Sequence, residues 1–451
     1  MSPAPATIEI EGVTITLSAD QQLALAACLE ELKRSRHAIL SGAAGTGKTT
    51  VMKALLSAWP GGVMFLAPTG KAAVRLAEST GRGAKTIHSS IFGTVDEEQE
   101  DEDEGGKEKL RFGELHPPEG CTSSTLVVVD EASMVNTKLA NELRTAVGQV
   151  GGNILWVGDH EQLPPVEGGW GVDLANATGK LTQVHRQALD SAVLKFATMI
   201  REGDMGLFDT WGGDVTKQKV TVAKAAAWRE RDTDRVLLTW TNRIRKQANA
   251  LIRKSRGHKV GVPEVGETLI CTFNNHDLAI MNGETFEIEA IEPHPVLSIL
   301  CEQPILWVKP VGRPDFVMAP QTFDASKKYP DSRRAMSDRA IYREVWSNLF
   351  LQGNPADEAS PMGEFLLEKG ISVSDFRRAR SEAMDYGVQG TWGYCLTVHK
   401  SQGSQWKEVG FMSCPGFRRK GSYLTLEDKR RMLYTAVTRA ESRLHIFTLT
   451  A

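Results

Sequence analysis

The sequence predicts an α/β protein with two domains, each built on a parallel sheet. Four short apolar segments in the first half of the chain are rich in β-forming residues and end near a turn-forming residue: HAIL, GGVMFLAPT, STLVVVDEAS and GNILWVGD. Helical patterns separate them, and continuous apolar strands that alternate with helices are typical of a parallel sheet covered on both faces. The same pattern returns in DRVLLTWTN, GYCLTVHKSQG and SRLHIFTL, and 451 residues exceed the size of one ordinary domain.

A different pattern interrupts the second domain. Residues 267–323 contain the short strand-like segments ETLICTFNN, NGETFEIEAIEP and PILWVKPVG, with a turn signal at Asn282-Gly283. Such strands with turns between them predict a small antiparallel barrel. Residues 324–390 are more polar and have a helical pattern. We therefore expect a barrel with a helical extension, inserted into the second domain.

The charge of the chain is unevenly distributed. The net charge is −3, but the run DEEQEDEDE at residues 96–104 alone holds eight carboxylates. Without that run, the 53 basic residues exceed the remaining 48 acidic residues by five. The body of the protein is therefore mildly basic, which permits binding to a nucleic acid without requiring it.

Cysteine usage and the N-terminal segment predict a cytoplasmic protein. Six cysteines are scattered with no CxxC pair, at positions 28, 121, 271, 301, 395 and 414. This spacing argues against a zinc site or a disulfide framework and favours reduced thiols. The segment MSPAPATIEIEG lacks the basic and apolar regions of a signal peptide, and no apolar run approaches the length of a membrane span. No membrane partner is expected.

A phosphate-binding loop is the most specific motif. The segment ILSGAAGTGKTT contains the pattern GxxxxGK[ST] between an apolar strand and a helical segment. Glycines let backbone N–H groups surround a phosphate, and the helix N-terminus adds its dipole. Lys48 is expected to reach the β- and γ-phosphates of ATP, and Thr49 to ligate Mg²⁺. The predicted nucleotide-binding residues here are Gly42, Ala43, Ala44, Gly45, Thr46, Gly47, Lys48, Thr49 and Thr50.

Two further strand ends carry polar side chains suited to phosphoryl transfer. Asp130 and Glu131 follow the apolar strand LVVV, where Asp130 is expected to hold the magnesium ion and Glu131 to orient or deprotonate water. Gln162 lies in the turn GDHEQLPPV and is expected to sense the γ-phosphate. Considered alone, two acids after a strand more often cap a helix, and Gln162 could equally be an ordinary polar turn residue.

A series of short motifs runs in order along nearly the whole chain. It comprises Gln21 in LSADQQ, the phosphate loop, APTGKAAVRL, TIHSSIF, DEAS, GDHEQLPPV, VHRQ, TNRIRKQAN, LTVHKSQGSQW and YTAVTRA. This series resembles superfamily 1 helicases, and within them the RecD-like branch that includes the phage Dda-like helicases. The resemblance implies an ATP- and Mg²⁺-dependent DNA helicase that translocates on single-stranded DNA in the 5′-to-3′ direction and unwinds duplex.

The resemblance also implies a domain organisation. Two RecA-like P-loop domains would carry a small hairpin (pin) insertion and an SH3-like β-barrel with a helical insertion. The expected boundaries are 1–87 with 122–187 for the first motor domain, 88–121 for the pin, 188–266 with 391–451 for the second motor domain, and 267–390 for the barrel and its helices. The acidic run would then lie at the tip of the pin. The alternative is a solvated loop inserted into a permissive turn.

Site residues follow from the same resemblance. Gln21 would read adenine, Arg186 and Arg439 would reach the γ-phosphate, and Gly403 and Gln405 would contact the ribose and triphosphate. An ordinary surface ion pair is the alternative for either arginine. The predicted DNA contacts are Pro68, Thr69, His88, Asn242, Arg243, Asn249, Thr397 and His399. Candidate stacking residues, each of which could instead belong to the core, are Phe92, Phe112, Trp240 and Trp392.

The expected partners are single-stranded DNA and duplex junctions, with single-strand-binding or replication proteins as candidate protein partners in replication, recombination or repair. Two other functions stay open on the sequence alone. One is a translocase or RNA-directed remodelling ATPase that does not separate DNA strands. The other is a P-loop small-molecule kinase, which would leave the second α/β domain and YTAVTRA without a role.

Overall fold

The computed structural model describes most of the chain. The described residues are 7–10, 13–92, 114–165, 168–184, 191–204, 213–230, 234–259, 261–271, 275, 278, 280, 283–300, 305–318, 361–388, 390–413 and 424–450. The chain divides into two compact units, Met1–Lys219 with Val398–Ala451, and Val220–Thr397. The α/β architecture with parallel strands is confirmed. The four domain boundaries expected from the sequence stay predictions.

A six-stranded sheet forms the centre of the first unit, in the order β5-β4-β6-β7-β3-β8. All of its pairs are parallel. Its strands are β3 (His37–Gly42), β4 (Val63–Ala67), β5 (Ala84–Thr86), β6 (Leu126–Val129), β7 (Asn153–Gly158) and β8 (Gly179–Leu181). The apolar segments predicted as strands in the first half of the chain are therefore strands of one sheet.

Both faces of this sheet are covered, which explains why β6 and β7 are hydrophobic at every position except Asn153 and Gly158. Val128 and Leu155 pack in one buried cluster with helical residues such as Leu55. Their neighbours along the strands, such as Val127, belong to a second cluster that includes Leu143. Successive side chains of a strand point to opposite faces, so two clusters require helices on both sides.

The α-helices described in the first unit begin at polar caps, except the helix that starts at Lys48, whose N-cap is Gly47. Ser18 and Thr425 form capping boxes, and Thr69 and Asn136 accept from backbone amides. The helices are α1 (Ala19–Ser35), α2 (Lys48–Ala58), α3 (Gly70–Thr80), α4 (Ile87–Ile91), α5 (Thr137–Gln149), α6 (Ala192–Arg201) and α12 (Leu426–Val437). Short 3-10 helices lie at Ala132–Met134, Leu174–Asn176 and His399–Ser401.

Other strands complete the first unit. An N-terminal antiparallel pair is formed by β1 (Thr7–Ile10) and β2 (Val13–Thr16). The strands β17 (Trp406–Ser413) and β18 (Ala440–Leu449) pair in parallel, and β9 spans Val215–Val220. The predicted strand SRLHIFTL is thus confirmed within β18.

The second unit contains a parallel pair and an antiparallel sheet. The pair is β10 (Arg235–Thr239) with β16 (Cys395–Thr397), and α7 (Val222–Glu230) and α8 (Asn242–Ser255) flank β10 in sequence. The antiparallel sheet has the order β14-β13-β12-β11-β15. Its strands are β11 (Thr268–Cys271), β12 (Thr285–Pro293), β13 (Leu306–Pro310), β14 (Phe316–Met318) and β15 (Gly390–Trp392). The antiparallel strands are confirmed, whereas their closure into an SH3-like barrel stays a prediction.

Three helices accompany the antiparallel sheet: α9 (Leu297–Leu300), α10 (Pro361–Glu368) and α11 (Val373–Asp385). Ala379 and Ala383 of α11 pack with Val317 of β14 in a buried cluster. The expected helical extension is therefore present within residues 361–385. No helix among the described residues combines the length and the apolar character needed to cross a membrane.

The described residues on either side of the predicted pin lie close together. Phe92 and Leu115 form an antiparallel bridge, and the amide of His116 donates to the carbonyl of Ile91 at 2.9 Å. The pin itself stays a prediction. The acidic run 96–104, Phe112 and Arg186 lie outside the described residues.

Candidate nucleotide-binding site

The phosphate loop connects the end of β3 to the start of α2, and its glycines have local physical causes. Gly45 and Gly47 have φ values of 78° and 81°, in the left-handed region that favours glycine. Gly42 is required for a different reason. A Cβ atom at Gly42 would lie 2.8 Å from the Cβ of Leu181 and 2.5 Å from Oγ1 of Thr46.

A cavity of about 330 Å³ opens beside this loop, within the size range of small-molecule sites. It brings together twelve residues predicted from the sequence, which come from the loop, two strand ends and the C-terminal segment: Ala43, Ala44, Gly45, Gly47, Lys48, Thr49, Asp130, Glu131, Gln162, Gly403, Gln405 and Arg439. Gly42, Thr46 and Thr50 belong to the same loop but do not line the cavity.

Lys48 is the cation at the start of α2. Its Nζ donates to the carbonyl oxygens of Gly42 at 2.7 Å and Ala43 at 3.1 Å. The hydroxyl of Thr46 also donates to the carbonyl of Ala43, at 2.9 Å. Both side chains thus fold onto the loop, and Lys48 is positioned where an anion at the helix N-terminus would compete for its ammonium group.

The Asp130–Glu131 pair lies where β6 ends. The carboxylate of Asp130 accepts from the amide of Glu131 at 2.8 Å, and Glu131 has a φ of 51°. Positive φ is unfavourable for a glutamate, and such strain is concentrated at functional sites. Burial and the neighbouring Glu131 carboxylate raise the pKa of Asp130 to about 6, although Lys48 opposes the shift.

These residues fit a magnesium ion. A cation beside the half-buried Asp130 would relieve the desolvation that raises its pKa, and the hydroxyl of Thr49 lines the same cavity. No group of three or more His, Cys, Asp or Glu side chains suited to a metal occurs among the described residues. Mg²⁺ is commonly held by one or two carboxylates together with substrate phosphates and water, so a sparse protein ligand set is compatible with it.

Two buried polar residues complete the cavity. Gln162 is buried, and its Oε1 atom accepts no hydrogen bond within the described part of the chain. Arg439 is only 2% exposed, and its guanidinium donates to the carbonyls of Thr435 and Ser404 at 3.1 and 3.2 Å. Burial lowers the pKa of Arg439, and the nearby Glu131 carboxylate opposes that shift.

Three residues near the cavity were missed by the sequence analysis. The hydroxyl of Tyr434 accepts from the amide of Ala44 at 2.9 Å and donates to the buried carboxylate of Asp159 at 2.7 Å. Arg75 lines the cavity and donates to Oε1 of Gln405 at 2.8 Å. Tyr434 and Asp159 lie inside two of the quoted motifs, YTAVTRA and GDHEQLPPV, and Arg75 lies inside APTGKAAVRL. The sequence motifs therefore contain all three residues, but they do not show which atoms these residues contact.

Gln21 is not brought to this cavity. It is buried in the first turn of α1, and its Oε1 accepts from the amide of Ser18 at 3.0 Å in a capping box. The sequence Ser-Ala-Asp-Gln matches the local capping-box pattern S-x-x-Q. Its predicted role in reading adenine stays a prediction.

Two family models match the parts of the chain that form this cavity. A family model described as an AAA domain matches residues 16–214, and one described as a UvrD-like helicase C-terminal domain matches residues 393–447. Together the two matches cover more than half of the chain, and they include every residue that lines the cavity. Both matches support a superfamily 1 helicase of the RecD-, Dda- and Pif1-like kind.

The relatives match this chain over different lengths. The ATP-dependent RecD2 DNA helicase of Deinococcus radiodurans is 38% identical over 193 residues, which are 42% of this chain and 24% of that protein. The ATP-dependent DNA helicase dda of Enterobacteria phage T4 is 24% identical over 94% of this chain and 97% of its own length. This chain thus spans about a quarter of the RecD2 relative and nearly all of the dda relative.

The solved structures show the same fold. The crystal structure of Bacteroides Pif1 bound to single-stranded DNA superposes with a TM-score of 0.50 at 15% identity, covering 97% of this chain and 93% of that chain. At this identity the likeness concerns the fold alone.

In the first unit, the residues predicted to contact DNA lie near the starts of helices. Thr69 is the N-cap of α3 and accepts from the amide of Ala72 at 3.3 Å, and Pro68 beside it is half-buried. His88 is half-buried and stacks on Phe92 with ring centroids 6.1 Å apart. His399 is half-buried in a 3-10 helix, and burial lowers its pKa, which favours the neutral ring.

In the second unit the predicted contacts divide into exposed and buried groups. Asn242 and Arg243 are exposed in the first turn of α8. Asn249 is only 3% exposed. Its amide nitrogen donates to the carbonyls of Trp392 and Cys395 at 3.3 and 3.1 Å, and its oxygen accepts from the amide of Cys395 at 2.9 Å. These bonds use both amide hydrogens and give Asn249 a structural role. Its predicted DNA contact stays a prediction. Thr397 is buried at the end of β16.

The candidate stacking aromatics also differ in exposure. Trp392 is 7% exposed and lies under the guanidinium of Arg253, 4.1 Å from the ring centroid. Phe92 packs against a buried cluster of the first unit. Trp240 is half-buried after β10. The geometry of Trp392 and Phe92 matches the core interpretation weighed for them from the sequence.

Proposed function

We propose that this protein is an ATP- and Mg²⁺-dependent DNA helicase that translocates on single-stranded DNA in the 5′-to-3′ direction and unwinds duplex. One observation carries the proposal. A single cavity is lined by a phosphate-loop lysine, two carboxylates after an apolar strand, a buried glutamine and a buried arginine from the C-terminal segment. That set of groups matches the requirements of nucleoside triphosphate hydrolysis.

Each group has a distinct chemical task in this proposal. Lys48 and the loop amides bind the triphosphate, and Thr49 and Asp130 hold the magnesium ion, which neutralises phosphate charge when bound. Glu131 orients and deprotonates the attacking water. Gln162 contacts the γ-phosphate, and Arg439 neutralises the charge that develops in the transition state. Arg186 is proposed as a second arginine, from the resemblance alone.

The strand-binding part of the proposal is supported by helix starts. The N-terminus of α3 follows Pro68 and Thr69, and the N-terminus of α8 carries Asn242 and Arg243. Backbone amides and polar side chains at helix N-termini bind phosphates without reading sequence. His88, Thr397 and His399 remain proposed contacts. Because Thr397 is buried, we propose that it positions neighbouring residues that contact the strand.

The direction of movement and the substrate follow from the family. Because the chain resembles the RecD-like branch, we infer 5′-to-3′ movement, with single-stranded DNA and duplex junctions as partners. Replication, recombination or repair is the proposed setting. A reducing cytoplasmic location is supported by the buried thiols of Cys28, Cys121 and Cys395, the pKa of Cys28 and Cys395 being raised by burial to about 12.

The test measures ATP hydrolysis and strand separation on matched substrates. Hydrolysis is expected to rise when single-stranded DNA is added, and a duplex with a 5′ tail is expected to separate while one with a 3′ tail does not. The same duplexes in RNA are the control for substrate class. A hydrolysis rate that does not change when DNA is added would contradict the proposal. Stimulated hydrolysis without strand separation would indicate a translocase. Equal separation of the duplexes with 5′ and 3′ tails would contradict the proposed direction.

A further inference from the structure

One face of α3 contacts the loop at residues 403–406. Lys71 and Arg75 are four residues apart and so lie on the same side of the helix. The ammonium of Lys71 lies 4.9 Å from the centroid of the Trp406 ring, and Arg75 donates to Gln405 at 2.8 Å. A Cβ atom at Gly403 would lie 3.2 Å from that of Ala72, which shows how close the two backbones come. The helix and the loop are therefore held in a defined arrangement.

Arg75 also lines the nucleotide cavity. It shares that lining with Lys48, Asp130, Glu131 and Arg439. Its charge acts on two of these groups, since it opposes the rise in the pKa of Asp130 and contributes to the fall in the pKa of Arg439. The guanidinium is thus close enough to the proposed catalytic groups to share a ligand with them.

Arg75 forms no ion pair with a carboxylate in the part of the chain that the structure describes. Across the described ranges, no ion pair within 4.0 Å includes Arg75, whereas Arg253 and Arg430 each pair with glutamates. Its one hydrogen bond among the described residues goes to the neutral amide oxygen of Gln405. A guanidinium presents five donors in a planar fork that suits phosphate oxygens. An exposed arginine in a cavity built for phosphates has the chemistry of a phosphate ligand.

We propose that Arg75 binds the terminal phosphates of the nucleotide, and that Gln405 positions its guanidinium for this contact. The inference rests on the proposed ATP-binding function and adds a residue to it. Because the N-cap of α3 is Thr69, a proposed strand contact, one helix of 11 residues together with its cap then contacts both the nucleotide and the DNA. Binding of the two ligands is therefore coupled, and the coupling is reciprocal.

The experiment measures nucleotide affinity by calorimetry with magnesium present. The variants are Arg75→Gln and Arg75→Lys, and Arg82→Gln is the matched control, because Arg82 is exposed beyond the end of the same helix and does not line the cavity. The ligands are adenylyl imidodiphosphate, a non-hydrolysable ATP analogue, and ADP. Thermal unfolding without nucleotide shows whether each variant is folded.

The expected result is selective. Arg75→Gln weakens binding of the ATP analogue about tenfold or more, as expected for loss of a hydrogen bond to a charged group, and weakens ADP binding less. Arg75→Lys keeps the charge but loses the planar fork of donors, so its affinity for the ATP analogue should lie between those of Arg75→Gln and the wild type. Arg82→Gln binds both nucleotides as the wild type does. Single-stranded DNA also increases the affinity for the analogue less in Arg75→Gln than in the wild type.

Two results would overturn the inference. Equal weakening of both ligands would contradict the assignment to the terminal phosphates, and unchanged affinity for both would contradict the contact itself. Failure of the proposed function is separable, because it would appear as absent nucleotide binding or hydrolysis in the wild type. If Arg75→Gln fails to fold, Arg75→Lys decides between the outcomes, because it retains the charge and the length of the side chain.

Discussion

The hydroxyl of Tyr434 lies 2.9 Å from the amide nitrogen of Ala44, across 390 residues of sequence, and accepts its hydrogen bond. The same hydroxyl donates to Asp159 at 2.7 Å, so one side chain of α12 connects the phosphate loop to the end of β7. Burial raises the pKa of Asp159, and the positive charge of Lys48 and the Tyr434 hydroxyl partly oppose the shift.

Tyr434→Phe is therefore expected to destabilise the protein in a pH-dependent way. The loss of a hydrogen bond to a charged group costs about 1.5–3 kcal/mol of the free energy of unfolding. The pKa of Asp159 in the folded state is already above its unfolded value, so its contribution to stability is lost as pH rises. Without the tyrosine donor that pKa rises further, and the deficit relative to the wild type should be larger at pH 8 than at pH 5.

Urea unfolding at the two pH values measures this deficit. Tyr386→Phe is the control, because Tyr386 is exposed. A deficit that is equal at both pH values would show that Tyr434 does not act through the charge of Asp159.

Lys48→Ala tests the phosphate loop. The lysine supplies the main side-chain charge for the β- and γ-phosphates, so hydrolysis should fall by more than about a hundredfold. Binding of labelled single-stranded DNA without nucleotide should stay near wild type, since the proposed strand contacts do not include this residue. Lys53→Ala, on the same helix but away from the cavity lining, is the control. Wild-type turnover in Lys48→Ala would refute the site.

Arg439→Ala tests the transition-state role of the buried arginine. Steady-state kinetics should show kcat reduced by about a thousandfold with a much smaller change in nucleotide affinity. Because Arg439 donates to three neighbours, the variant also loses stability, and assays belong well below its unfolding temperature. Arg439→Lys, which retains a positive charge, should recover part of the rate. Lost ATP binding with normal turnover at saturation would contradict the role.

Asn249 and Asn242 form a matched pair on α8. Asn249→Ala leaves buried backbone groups of Cys395 without partners, at a cost of about 2 kcal/mol of the free energy of unfolding. Folded Asn249→Ala should still bind single-stranded DNA normally. Asn242→Ala should weaken DNA binding with a smaller loss of stability, because Asn242 is exposed and its side chain accepts one bond, from Nε of Arg245. The reverse pattern, measured by urea unfolding and DNA titration, would favour Asn249 over Asn242 as the strand contact.

The parts of the site that sequence predicted are those with local causes. The phosphate loop is a contiguous segment whose glycines are needed for positive φ values or close backbone contacts, and Asp130 follows an apolar strand. In a parallel sheet the carboxyl ends of strands share one edge, so these groups were expected to meet. They line one cavity, while their roles stay predictions.

The parts that sequence missed depend on contacts between distant segments. Nothing in YTAVTRA indicates that its tyrosine reaches Ala44, and nothing in APTGKAAVRL indicates that its arginine faces Gln405. Asn249 in TNRIRKQAN has the same residue type as the exposed Asn242, and only burial separates their roles. Gln21 is different, because its S-x-x-Q pattern was visible and predicts the capping bond that the structure contains.

The left-handed conformation of Glu131 has a consequence for directed evolution. A glutamate at a φ of 51° costs about 1–2 kcal/mol relative to a glycine, which adopts this region readily. A library selected only for heat resistance should therefore accumulate glycine or asparagine at position 131. A library selected for growth that depends on the enzyme should retain glutamate there. Comparing the two libraries would reveal how much folding stability natural selection has given up at this position for the sake of catalysis.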